Sequence, residues 1–129
     1  MHGFTPLETA VLSAIADDYG DYGKRLSDLV ATAVVIGRNN TGHGFYTFIQ
    51  ADRALPPVHA ATFLMDGPVV HMQDMGEGNI MGFILELKDG YPDCLEGFQY
   101  GDSQGDTVDL KTYDLFALRF TRLEPLPQS

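Results

Sequence analysis

The apolar positions of this chain change period part-way along. Leu7, Ala10, Val11, Ala14 and Ile15 recur at helical spacing, which predicts an amphipathic helix with one buried stripe. Thr5-Pro6-Leu7-Glu8 precedes it with threonine at Ncap, proline at N1 and glutamate at N3, the capping-box arrangement. The stripe fails at Asp17-Asp18-Tyr19-Gly20, where acids meet a glycine stop. Leu26, Leu29 and Val30 then predict a shorter second helix from about Tyr22 to Val30.

From Ala31 the pattern is that of strands. Ala33-Val34-Val35-Ile36 is a mostly β-branched run broken by Gly37-Arg38-Asn39-Asn40-Thr41-Gly42, and Gly44–Ile49 reads as its antiparallel partner. Residues 51–58 contain two prolines and predict a loop. Ala60–Met65 and Pro68–Met72 read as short strands around an Asp66-Gly67 turn, and Asp74–Asn79 as a further turn. The clearest pattern lies in Gly82–Asp102. Phe83, Leu85 and Leu87 share one parity, Lys88-Asp89-Gly90 supplies a turn, and the return run puts Cys94, Glu96, Phe98 and Tyr100 on one face. Alternation around an Asp-Gly turn predicts a hairpin. Ser103–Leu110 follows as a polar loop, and Tyr113–Thr121 as a closing strand with Phe116, Leu118 and Phe120 on one side. Leu123–Pro127 should fray or lie along the surface. Helices first and strands afterwards, without βαβ alternation, predict an α+β fold: one or two N-terminal helices packed on a five- to seven-stranded, mainly antiparallel sheet. No repeat or linker divides the chain, so residues 1–129 form a single domain.

Charge changes the picture more than composition does. The 129 residues are 44% apolar and 20% charged, ordinary for a globular protein. Of the net charge of −10, the span Asp66–Asp114 holds eleven acids against two bases, or −9. That distribution disfavours nucleic acid and anionic membranes, whose phosphates need lysine and arginine. It would steer a basic protein partner towards the acidic span, and it leaves a homodimer open. The same charge also serves plain solubility. No apolar run is long enough to span a bilayer, no secretory signal is evident, and one cysteine makes neither a disulfide nor a thiolate zinc site. A cytoplasmic location is expected.

Candidate chemistry is sparse. His2, His43, His59 and His71 lack metal-ligand spacing, and His71 with Asp74 is a pairing common by chance, so no metal is expected. Gly42-His43-Gly44-Phe45 could bring backbone amides to a ligand, but the phosphate-loop and dinucleotide fingerprints are absent; a tight turn explains the glycines, and no cofactor is expected. Asp102, Asp106 and Asp109 lack EF-hand spacing and read as a solvated loop. Cys94 and Glu96 on an apolar face would both have raised pKa values, suiting a general acid or, with His43 or His59 as base, a nucleophile. Against this, Glu96 could be exposed or paired with Arg38 or Arg119, and Cys94 could be a small hydrophobe.

Three pieces, TPLETAVLSAIA, GHGFYT after Arg-Asn-Asn-Thr, and LEGFQYGD, together resemble a group of small uncharacterised bacterial proteins. These have a capped N-terminal helix and an LEG(F/Y)xYGD-like hairpin motif. The resemblance implies a bacterial cytoplasmic protein without assigned activity or catalytic residues. By fold-level analogy, small acidic proteins of this size are often similar in organisation to immunity proteins of toxin systems. Two functions follow as expectations. The first is a non-enzymatic protein-binding module with Glu96, Phe98, Tyr100 and Asp102 at the centre of its binding surface. The second is a small-molecule-binding protein or small hydrolase with His43, Tyr46, Cys94 and Glu96 in a pocket between sheet and helices. Convergence of those four side chains in one cavity would favour the second, and an open face bearing Phe98 and Tyr100 the first.

Overall fold

A computed structural model describes residues 3–58, 63–75, 79–101 and 107–124. Helix α1 (Pro6–Asp18) begins as its capping box requires. The Glu8 amide donates to Thr5 Oγ1 at 3.0 Å, and the Thr5 amide donates to Glu8 Oε1 at 2.8 Å. Helix α2 (Gly20–Thr32) is longer than its apolar spacing alone indicates and starts directly after the C-cap Tyr19. The two helices meet at Gly23, where a Cβ would lie 1.7 Å from the Ala16 carbonyl oxygen. Only glycine permits that approach.

Among the described residues seven strands follow, β1 (Val34–Asn40), β2 (Gly44–Gln50), β3 (Phe63–Asp66), β4 (Val69–Met72), β5 (Ile80–Lys88), β6 (Tyr91–Gly101) and β7 (Phe120–Glu124). They form one sheet in the order β1-β2-β6-β5-β4-β7, with β3 also on β5 and every pairing antiparallel. The expected α+β fold is the one observed. Leu7, Val11 and Ile15 of α1 and Leu26 and Leu29 of α2 pack into one buried cluster with Phe45, Phe83, Leu85 and Leu95 of the sheet. The helices therefore cover a single sheet face. No helix among the described residues is long and apolar enough to cross a membrane.

Several local expectations are corrected. β1 runs through Gly37-Arg38-Asn39-Asn40 instead of stopping at Ile36, because a bulge between Val35 and Gly37 absorbs the irregularity. The turn is confined to Thr41-Gly42-His43, where the Thr41 amide donates to the Gly44 carbonyl at 2.9 Å. Asp66-Gly67 does not turn a hairpin. β3 and β4 lie end to end along β5, since Asp66 pairs with Ile84 and Val70 with Met81. Between those pairs three residues, 67–69, lie against two, 82–83, which makes a bulge, and Pro68, with no amide to donate, sits inside it. The closing strand is also displaced. Asp109 and Asp114 accept the amides of Lys111 and Phe116, each at 3.0 Å, and fold Leu110–Thr112 and Leu115–Ala117 into 3₁₀ turns. Such side-chain acceptors compete with strand formation. β7 starts only at Phe120 and takes in Leu123 and Glu124, which therefore do not fray; residues 125–127 lie outside the described residues.

The hairpin of β5 and β6 is as its sequence indicates. Asp89 and Gly90 have φ of 54° and 85°, the two positive values of a type I′ turn, whose twist matches that of the strands.

Candidate functional site

The sheet face turned away from the helices is built by strand parity. On β2, Phe45, Thr47 and Ile49 point into the core, so Tyr46 and Phe48 point out. Cross-strand register then sets the outer face in rows. Phe48 neighbours Cys94, then Glu86, then Leu64. In the next row Tyr46 neighbours Glu96, then Ile84, then Asp66. In the third, Phe98 lies between Gly44 and Gly82. The Phe98 and Tyr100 rings meet edge to face at 5.2 Å, and both cover Gly82, where a Cβ would touch them at 2.7 and 2.8 Å. Tyr46, Phe48, Leu64 and Tyr100 are exposed, with Tyr100 at 50% and Leu64 at 59%. These exposed aromatics are thus gathered on one face of the sheet.

Acids punctuate this apolar field. Glu96 is half-buried, with Tyr46 and Ile84 across from it and Cys94 and Phe98 two residues away on its own strand. Neither arginine named as its partner reaches it. Arg38 binds Glu8 and Arg119 binds Asp74 at 2.8 Å. Among the described residues Glu96 has no ion pair and no hydrogen bond from a side chain. Burial, reinforced by Glu86, Asp93 and Glu96, pushes the Cys94 thiol up to about 11. It is thus a protonated thiol at neutral pH, which disfavours its use as a nucleophile.

The four residues of the alternative pocket divide between two places. Tyr46, Cys94 and Glu96 share the outer face, whereas His43 sits in the β1–β2 turn at the end of the sheet. There it lines an open cavity of about 390 Å³ with Thr41, Gly42, Val108, Asp109 and Lys111, to which the other three contribute nothing. Gln99 fixes the cavity wall, donating from Nε2 to the carbonyls of Val108 (2.8 Å) and His43 (3.0 Å) and accepting from the Val108 amide (2.9 Å). Asp102, Asp106 and His59 lie outside the described residues. Asp109 is engaged in capping its 3₁₀ turn. His71 lies 3.0 Å from Glu124, aligned too poorly for a hydrogen bond, while the Arg119 guanidinium holds the Asp74 carboxyl below its usual range. No group of three or more metal-ligating side chains occurs among the described residues.

Sequence patterning missed the polar cluster behind the sheet. Glu8 is fully buried and binds Arg38 through both oxygens, Nε to Oε2 at 3.1 Å and Nη2 to Oε1 at 2.5 Å. The Thr47 hydroxyl also donates to Glu8 Oε2. Arg38 and Thr47 are cross-strand partners, so β1–β2 register presents both to the helix N-terminus. Each Glu8 oxygen thus has two donors, the Thr5 amide and Arg38 Nη2 on Oε1, and Arg38 Nε and the Thr47 hydroxyl on Oε2. Phe48, Leu64 and Ile84 were likewise missed as outer-face residues. In Phe45–Ile49 both parities are largely apolar, so alternation alone does not tell inside from outside. Comparison with protein-family models, with curated proteins and with solved structures finds no match.

Proposed function

We propose that this chain is a non-enzymatic protein-binding module that docks a basic segment of another protein on the open face of its sheet. The observation that carries this reading is the outer face itself: Tyr46, Phe48, Phe98 and Tyr100 stand beside Glu86, Glu96 and Asp66, and neither α1 nor α2 packs on them. Aromatic side chains supply the anchoring area at interface centres, and flanking acids raise the encounter rate with a cationic partner. Glu96, Phe98 and Tyr100 are the centre of the surface. An immunity-like role in a bacterial cytoplasm, with a basic toxin as partner, is one form this function takes.

A second reading rests on the 390 Å³ cavity beside His43 and Lys111. It is a small-molecule site at the end of the sheet, separate from Cys94 and Glu96.

Affinity capture from the source cell separates the two. Wild type should retain a basic protein that Phe98→Ala and Tyr100→Ala, both still folded, release. Equal recovery by all three would remove this face as the docking site. Recovery of no protein, with a small molecule co-purifying and lost in Lys111→Ala, would transfer the function to the cavity.

A further inference from the structure

Two arginines of this chain sit on the same pair of groups, a carboxylate and an aromatic ring. Arg38 binds Glu8 and lies over the Phe116 ring, 4.8 Å from its centroid. Arg53 lies 4.5 Å from the Tyr91 centroid and 3.7 Å from Asp89. A planar guanidinium suits this combination, because it can offer its edge to the oxygens and its face to the ring.

The outer face holds a third such pair without its cation. Glu96 stands directly across from Tyr46 and two residues from Phe98, with Ile84 on its other side. It is half-buried, unlike the exposed Glu86 and Asp66. A cation reaching it would shed water against apolar neighbours, where charge attraction is stronger than in bulk solvent. The basic residues of the chain are placed elsewhere. Lys24 and Arg25 are on α2, Lys88 is at the far end of the hairpin, Lys111 lines the cavity, and Arg119 and Arg122 are bound to Asp74 and Glu124.

We infer that Glu96, with the rings of Tyr46 and Phe98, is a receptor for a single arginine side chain of the docked protein. This rests on the docking reading above and narrows it. The guanidinium takes the carboxylate oxygens, one ring takes its flat face, and the methylene stem lies over Ile84. Lysine lacks the plane and the second donor geometry, so it fits less well. A second copy of this chain is a poor occupant, since a face-to-face pair would bring Glu86, Glu96 and Asp66 against their own equivalents.

The test is an amide chemical-shift titration of the full chain with N-acetyl-arginine amide, using the lysine and norleucine analogues for comparison. Arginine should shift Tyr46, Ile84, Glu96 and Phe98 together along one saturating curve. Lysine should bind more weakly, and norleucine should give no saturation. Glu96→Gln should weaken arginine about fivefold, while Glu86→Gln should change it less than twofold. Equal affinity for arginine in Glu96→Gln, or shifts spread evenly over all exposed acids, would overturn the receptor. So would concentration-dependent broadening of these amides without ligand, which would assign the face to self-association. The capture experiment keeps the two levels apart. If Phe98→Ala loses the partner while Glu96→Gln holds it with unchanged dissociation, the docking face stands and the arginine receptor falls.

Discussion

Cys94 shows how a side chain's surroundings decide its chemistry. Partial burial, reinforced by three acids, holds its thiol at about 11. Below that pH the thiolate is scarce, although the thiolate that does form is the more nucleophilic for its high pKa. Iodoacetamide at pH 8 should therefore alkylate it roughly tenfold more slowly than an unperturbed cysteine. The rate should keep climbing through pH 10, and Glu86→Gln or Glu96→Gln should accelerate it by removing a repelling charge. A plateau below pH 9 would refute this account of the thiol. Glu8 presents the complementary case, a buried charge with all its partners. Thr5→Ala removes one cap hydrogen bond and should cost about 1 kcal/mol. Glu8→Ala removes the cap partner and strands Arg38, whose side chain is only 18% exposed, so the loss should be about 3 kcal/mol. Denaturant midpoints compared at equal slope measure both. Identical losses would show that the Glu8–Arg38 pair adds nothing to the cap. The cap itself is legible in Thr5-Pro6-Leu7-Glu8, because every atom involved is local. The second role of Glu8 is not legible, because it depends on β-strand register thirty residues away.

Among the elements, legibility follows the same division between local and distant causes. α1 and the β5–β6 hairpin were readable from cap and turn residues. In the hairpin, Gly90 has φ of 85° and its carbonyl also accepts the Val58 amide at 2.8 Å. Gly90→Ala should cost more than about 1 kcal/mol, since a Cβ is strained at that angle and the turn cannot relax without moving the 51–58 loop. An unchanged midpoint would mean that the hairpin tolerates another turn type. The bulges at Ile36 and at Gly67-Pro68 were not readable. Each exists only because a neighbouring strand continues past the irregularity, and a single strand contains no record of its neighbour. In the sequence the aspartate capping of the two 3₁₀ turns shows only as an acidic stretch, so the apolar pattern puts the closing strand several residues too early. Asp109 and Asp114 each stand two residues before the amide they accept, the short-range spacing of such turns.

At the scale of the whole molecule, two helices cover one side of a seven-stranded sheet and leave the other to Tyr46, Phe48, Phe98 and Tyr100. The surface residues Glu96, Phe98 and Tyr100 were readable from β6 parity; the contributions of β2, β3 and β5 needed the strand order. This arrangement separates two kinetic effects. The acids act at a distance, so the association rate with a basic partner should fall as salt shortens the screening length from about 30 Å at 0.01 M to about 8 Å at 0.15 M. Glu86→Gln should reduce the association rate and its salt dependence together, because Glu86 is exposed and acts mainly by its charge. The rings act only on contact, so Phe98→Ala and Tyr100→Ala should mainly accelerate dissociation, with the salt slope of association unchanged. Surface-immobilised kinetics with the captured partner at several salt concentrations measures both rates. A partner whose association rate ignores salt would owe nothing to the −9 span from Asp66 to Asp114. That acidity would then serve solubility alone, and the docking surface would reduce to its aromatic residues.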